Sequence, residues 1–393
     1  MLFSEYESLA QKTDQKRDLL VSTTGLAYET GSILSAYQIN KFMKGQFAAY
    51  RDQVKEDLGD ILWYINSISS ICHLNLANVS LKSINKSRRI YKKYRRSDPL
   101  VGPRLDTNDM GTYQCYVSKT DMKRNETVSV LGLVGETGDV CDLLKKFHRG
   151  DMTHEGYIKK IGSELGDVLW YLTSIASTHN LTLVDIAKHN LTVIDKRWAD
   201  LGKPVDDSRY EEDERFPEMF EVSFVEKDRG DKARQVLLQI NGVNIGDRLT
   251  DNTYKDDGYR YHDAFHLAHV AILGWSPVMR ALLKRKRKSN HEVDEVEDGA
   301  RAAAIEEAVT IDIFNSSKPY KRFKHAEYVD DSILHRAQAM CQSLEVKTCT
   351  AKRWERAILD GYKVFHALRS NKGGVVQVDR NASTIVYRRH KSR

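Results

Sequence analysis

The chain has 393 residues, 41% hydrophobic and 30% charged, with a formal net charge of +6; that supports two or three packed domains at roughly 150 residues each and excludes a disordered chain. The mild basic excess is compatible with polyphosphate ligands without demanding them. No apolar run approaches the ~18 residues of a membrane span, and the N-terminal stretch MLFSEYESLAQKTDQKRDLL has no apolar signal region, so the expectation is a cytoplasmic protein with no membrane partner.

In chain order, the first feature is an internal repeat. GLAYETGSIL at Gly25 aligns with GLVGETGDVC at Gly132, an offset of 107 residues, and DLGDILWYI then falls on ELGDVLWYL without a gap. Upstream, Lys12-Thr13-Asp14 and Lys16-Arg17 fall on Lys119-Thr120-Asp121 and Lys123-Arg124. Each copy reads as a lead-in, a motif helix, a second motif helix ending near Cys72 or Thr178, and a third helix. The third helix opens at Asn75 or at Thr182, where Thr182-x-x-Asp185 has the form of a capping box. Ser97 to Pro103 carries two of the six prolines and separates the copies, which gives domains over 1–97 and 104–205. Five scattered cysteines (Cys72, Cys115, Cys141, Cys341 and Cys349) show no CxxC spacing and read as free thiols.

The second copy sets four carboxylates on two consecutive helices. Glu136 and Asp139 are three apart on the first, and Glu164 and Asp167 are three apart on the second, so each pair shares a helical face. A solvated acidic face is the plain alternative, but Ile161, Leu165, Val168, Leu169, Leu172 and Ile175 form an apolar stripe beside the second pair. Carboxylates without His or Cys favour Mg²⁺, or Mn²⁺, sharing its shell with waters and phosphates. Lys145, Lys146 and Arg149 follow the first motif helix and can meet phosphate oxygens.

Beyond an acidic, turn-rich stretch from Asp206 to Glu214, the texture changes at about 218 and a third domain is expected over 218–393. Phe220 to Val225 alternates at period two, and Val236 to Ile245 reads as a hairpin turning at Asn241-Gly242. Helices are expected over Tyr259 to Leu273, Pro277 to Lys286, Ala300 to Phe314 and Trp354 to Ser370, with a terminal hairpin from Val375 to Val378 and Thr384 to Tyr387. His262, Asp263 and His266, with Glu295, Asp298, Glu306 and Glu307 further on, make a candidate second ligand or metal site, the residues singled out being His262, His266, Glu295 and Asp298. The alternative is histidines hydrogen-bonded to acids such as Glu295 or Asp298. The basic run Lys284 to Lys288 reads as a solvated helix C-terminus, and without interleaved aromatics it speaks against nucleic acid as a partner.

The pair GLVGETGD and ELGDVLWYL resembles the MazG-type all-α nucleotide pyrophosphohydrolases, whose pattern is Glu-x-x-Glu, a spacer, then Glu-x-x-Asp. The resemblance covers about Gly132 to Arg197 and departs from the pattern at Asp139, one methylene shorter than Glu. It implies Mg²⁺ held by Glu136, Asp139, Glu164 and Asp167, and hydrolysis of a nucleoside triphosphate to the monophosphate and pyrophosphate. It also implies substrate contacts from Asn190 and Arg197 on the third helix. Family members bury an apolar helical face by dimerising, so two tandem copies imply an internal pseudo-dimer, with further homo-oligomers open. The implied fold class is mainly α, two MazG-like helical units followed by an α+β domain that resembles the C-terminal domain of some MazG-like proteins. In the first copy Asp139 becomes Ser32, Lys145, Lys146 and Arg149 become Gln38, Ile39 and Phe42, and Asn190 and Arg197 become Ser83 and Ile90. The first copy is therefore expected to be structural and the second catalytic. A nucleotide-sensing module whose third domain signals to a partner is the competing function class.

Overall fold

The computed structural model describes residues 1–14, 18–95, 106–122, 125–198, 201–229 and 232–390. The expected linker from Ser97 to Pro103, and the basic pairs Lys16-Arg17 and Lys123-Arg124, lie outside them. The chain is mostly helical with one small antiparallel sheet, and it divides into two units, Met1–Asp195 and Lys196–Arg393. Among the described residues no helix is long and apolar enough to cross a membrane.

The first unit is all α: α1 (Phe3–Ala10), α2 (Leu19–Phe42), α3 (Tyr50–Ile71), α4 (Leu76–Arg95), α5 (Met110–Thr120), α6 (Glu126–His148), α7 (His154–Thr178) and α8 (Leu183–Trp198). Short polar side chains start these helices by accepting otherwise unpaired N–H groups. Asp18 accepts from Val21, Asn75 from Asn78, Asn125 from Val128, Thr153 from Gly156 and Thr182 from Asp185. The apolar stripe of α7 is fully buried, as are Val54, Leu58, Ile61, Leu62, Ile65 and Ile68 on α3. At roughly 1.5–3 kcal/mol for each large apolar side chain taken out of water, these two stripes supply most of the drive for assembling the unit.

Residues related by the 107-residue offset make the same hydrogen bonds. Trp63 donates to Thr13 at 3.3 Å and Trp170 to Thr120 at 3.1 Å, while Ser67 donates to Asp14 at 2.8 Å and Ser174 to Asp121 at 2.6 Å. Thr30 and Thr137, themselves counterparts, meet each other at 3.1 Å where α2 packs on α6. The third helices cross over: α4 lies on α7, and Asn190 of α8 lies on α3. The glycine of each Leu-Gly-Asp motif makes room for that crossing. A Cβ at Gly166 would come within 3.1 Å of the Val79 carbonyl oxygen, and one at Gly59 within 2.9 Å of the Asn190 Cβ.

The second unit holds β1 (Met219–Arg229), β2 (Lys232–Ile240) and β3 (Val243–Leu249), then α9 (Asp263–Ala268), α10 (Pro277–Leu282), α11 (His291–Val296), α12 (Ala300–Ser316), α13 (Asp331–Met340) and α14 (Ala351–Asn371), and finally β4 (Gly373–Asp379) and β5 (Thr384–Arg388). The sheet order is β3-β2-β1-β4-β5, antiparallel throughout. Both expected hairpins form, and Asn241 and Gly242 take the positive φ values, 50° and 81°, that a tight turn between twisted strands requires. The helix expected over Tyr259 to Leu273 is instead a 3₁₀ turn, α9, and a π-helical turn from His269 to Leu273. The stretch from Asp206 to Phe216 is built into this unit. Asp207, 3% exposed, accepts from Arg280, Arg380 and the Phe216 amide, and Phe216 is buried.

Candidate functional site

Asn125 and Thr153 start α6 and α7, and the packing of these two helices sets Glu136 and Asp139 opposite Glu164. One carboxylate oxygen from each of the three lies within 4.8 Å of the others. Asp167 stands beside them, 8% exposed. Burial first, and then the charge of Asp167, pushes Glu136 up to about 7, and burial likewise raises Glu164 and Asp167. Glu136 and Glu164 are half-buried and Asp139 is exposed, and carboxylates this close repel one another unless protonated or bridged by a cation. The donor set, oxygen alone, suits a hard divalent ion with room for waters.

Part of the compensating charge comes from a residue that sequence reasoning missed. Lys86 on α4 bonds Oδ2 of Asp167. Burial would lower its pKa, but Asp167, Glu136 and Glu164 more than reverse that and raise it. The counterpart of Lys86 is Val193, so the repeat carries no sign of this lysine, and the crossing of α4 onto α7 is what delivers it.

The same crossing moves Asn190 away. Expected on the second copy's substrate, its amide instead donates to Asp60 of the first copy at 3.0 Å and accepts from the Tyr6 hydroxyl at 2.7 Å. The matching place at the second set is taken by Ser83, bonded to Tyr113 at 2.9 Å. The contrast between the copies therefore cannot include Asn190 as an asset of the second. The Arg197 side chain lies outside the described residues. Lys145 and Lys146 are exposed and pair with Asp142, while Arg149 pairs with Asp151 at 3.1 Å, so all three stand at the end of α6 as exchangeable cations.

In the first set, Ser32 replaces one acid and Asp57 is 3% exposed. Burial pushes Asp57 up to about 6, offset in part by hydrogen bonds from Gln53 and Ser32. A carboxyl whose pKa is higher folded than unfolded binds more protons in the folded state, so it costs stability as pH rises from about 4 through about 6. Asp57→Asn is accordingly expected to stabilise the chain by on the order of 2 kcal/mol at pH 7.5 and by nothing below pH 4. Urea unfolding at the two pH values measures this, and equal effects at both would rule out a buried, ionising Asp57. On the helices that carry Asp57, Asp60 and Asn190, a cleft of about 330 Å³ is lined by Arg51, Lys55, Lys188 and His189 among others.

In the second unit the structure keeps His262 and His266 together with Asp263, Glu306 and Glu307 of the acids named with them, but not with Glu295 or Asp298. Glu295 is exposed and pairs with its helix neighbour His291, at 3.8 Å. Asp298, fully buried, instead holds Arg287 through its backbone amide at 2.8 Å and its guanidinium at 2.7 Å, with Arg280 at 3.4 Å. The basic run is thus no solvated helix end: α10 stops at Leu282 and Arg287 is fully buried. The acids at the histidines are Asp263, Glu306 and Glu307 from α9 and α12. Burial opposes ionisation of Glu306, but His266 and His269 overcome it and hold Glu306 down at about 2.

Residues 202–391 match the MazG C-terminal domain family. A curated relative, the Gene 37 protein of Mycobacterium phage L5, is 34% identical over 70 residues, 17% of this chain, and the chain spans about 60% of that protein's length. No solved structure matches. The module that the sequence suggested after the helical repeats is therefore identified: residues 202–391 are a MazG C-terminal domain.

Proposed function

We propose that the unit Met1–Asp195 is a Mg²⁺-dependent nucleotide pyrophosphohydrolase, built as an internal pseudo-dimer of two MazG-like helical units. It cleaves nucleoside triphosphates between the α and β phosphates. The observation that carries this reading is the convergence of Glu136, Asp139 and Glu164 within 4.8 Å, with Asp167 alongside. These residues would hold the ion, which supplies charge neutralisation at the phosphates and an acidified water. Asp167 and Lys86 form the wall on the α4 side, and Lys86 is free to turn from Asp167 to a phosphate oxygen when a triphosphate enters. Lys145, Lys146 and Arg149 would trade their exposed aspartate partners for phosphate in the same way.

Product analysis of a panel of NTPs and dNTPs, with Mg²⁺ present and absent, tests the assignment. Monophosphate and pyrophosphate are expected in equal amounts and only with the ion. A diphosphate with orthophosphate would replace it by a different hydrolase. The second reading, a nucleotide-sensing module, draws on the cationic cleft carried by α3 and α8. Saturable nucleotide binding without any turnover would favour it.

A further inference from the structure

His262, His266 and Glu307 place one ligand atom each within 4.8 Å of one another, and Asp263 borders the same space. Nδ1 of His262 lies 2.9 Å from the Tyr259 carbonyl oxygen. A carbonyl only accepts, so this nitrogen carries a proton, and Nε2 is the ring atom left to face a ligand. The ring is also stacked on Tyr259, with centroids 4.4 Å apart. The His266 ring is held the same way round, with its Nδ1 2.8 Å from Oε1 of Glu306. Its Nε2 is fully buried and faces Oε1 of Glu307.

Nε2 of both imidazoles thus points into a space bounded by carboxylates. His262 Nε2 is 3.1 Å from Asp263 and 4.0 Å from Glu307, and His266 Nε2 is 3.4 Å from Glu307. Two imidazole nitrogens and two carboxylates facing one another are held together by positive charge, supplied by a proton on the ring or by a metal ion that displaces it. The neighbouring trio of His266, His269 and Glu306 has a different character. Glu306 accepts from both Nδ1 atoms, from Ser276 at 3.0 Å and from the Val278 amide at 3.0 Å, so its lone pairs are used. It acts as the outer support that orients a ligating histidine.

We propose that His262 Nε2, His266 Nε2 and Glu307, with Asp263 as a further oxygen donor, form a binding site for a divalent transition-metal ion of the zinc class. Imidazole with carboxylate is the donor set of zinc and its first-row neighbours, not of Mg²⁺. Donors on a tetrahedral zinc stand about 3.4 Å apart, given bonds of about 2.1 Å, and the distances found here bracket that value. The π-helical turn that follows α9 completes the frame by bringing His269 onto Glu306. Glu307, roughly half exposed, opens the site to solvent, so a water or an external ligand can complete the shell.

The test uses the full chain, stripped with a chelator and reloaded with Zn²⁺ or Co²⁺. Metal analysis and competitive titration are run on the parent, on His262→Gln and Glu307→Gln, and on the control Glu136→Gln. His266 is left intact because its burial makes loss of folding a confounding result. With Mg²⁺ in excess to keep the carboxylate set of the first unit filled, one zinc per chain is expected in the parent and the control, with visible ligand-field bands for Co²⁺. Affinity should fall at least about 10-fold in each of the two site variants. Zinc should also raise the melting temperature of the parent and not that of the folded site variants. A parent that takes up no zinc, or site variants that match its stoichiometry and affinity, would overturn the proposal.

Discussion

Glu136→Gln is expected to lower turnover by at least about 10²-fold while Glu29→Gln leaves most of it, a difference of roughly 3 kcal/mol or more in transition-state stabilisation. The reason is local: Glu136 belongs to three carboxylates that meet within 4.8 Å, whereas the first set has lost an acid to Ser32. Asp60 is moreover already held by Asn190. Glu136→Gln keeps the volume and removes the charge, so folding is preserved and the measured loss reports ion binding. Steady-state kinetics of both variants at saturating Mg²⁺, with circular dichroism as the folding control, decides the matter. Equal losses would mean that both sets work, and the asymmetry would fall.

Asp298→Ala should be the most damaging single change in the second unit, costing about 3–5 kcal/mol of stability. Asp298 is buried together with Arg287 and Arg280, and its removal leaves Arg287 with Glu345 and Arg280 with Asp207 as remaining acidic partners. The large figure reflects a charge left buried with too few counter-charges, rather than the net worth of the ion pairs. The conservative change Asp298→Asn keeps the shape and some hydrogen bonding and should cost less. Denaturant unfolding followed by tryptophan fluorescence measures it, with Trp275 and Trp354 of this unit contributing alongside Trp63 and Trp170 of the first. A loss below about 1 kcal/mol would show that the other acids suffice.

Much of the first unit was legible because helical periodicity and capping are local. The spacing of Glu136, Asp139 and Glu164 lets their carboxylates converge, and the stripe from Ile161 to Ile175 went to the core. What could not be read was which partner each third helix meets. The pattern of α8 is satisfied equally well on either motif helix, so nothing in it says that Asn190 goes to Asp60 while α4 brings Lys86 to Asp167.

In the second unit the sequence by itself determined the hairpin at Asn241-Gly242, whose turn needs positive φ, and the terminal hairpin of β4 and β5, where short-range alternation suffices. It also singled out His262 and His266 by their spacing of four. Only the tertiary structure decided that β4 pairs with β1, joining strands about 150 residues apart in the chain. It alone decided that Arg287 is buried on Asp298, and that Glu307 rather than Glu295 faces the histidines. The physical reason is the same in each case. Local patterns fix which face of an element is apolar or charged, but a charged side chain's partner is chosen by whatever other elements pack against that face. That choice depends on contacts between residues far apart in sequence, which no periodicity records.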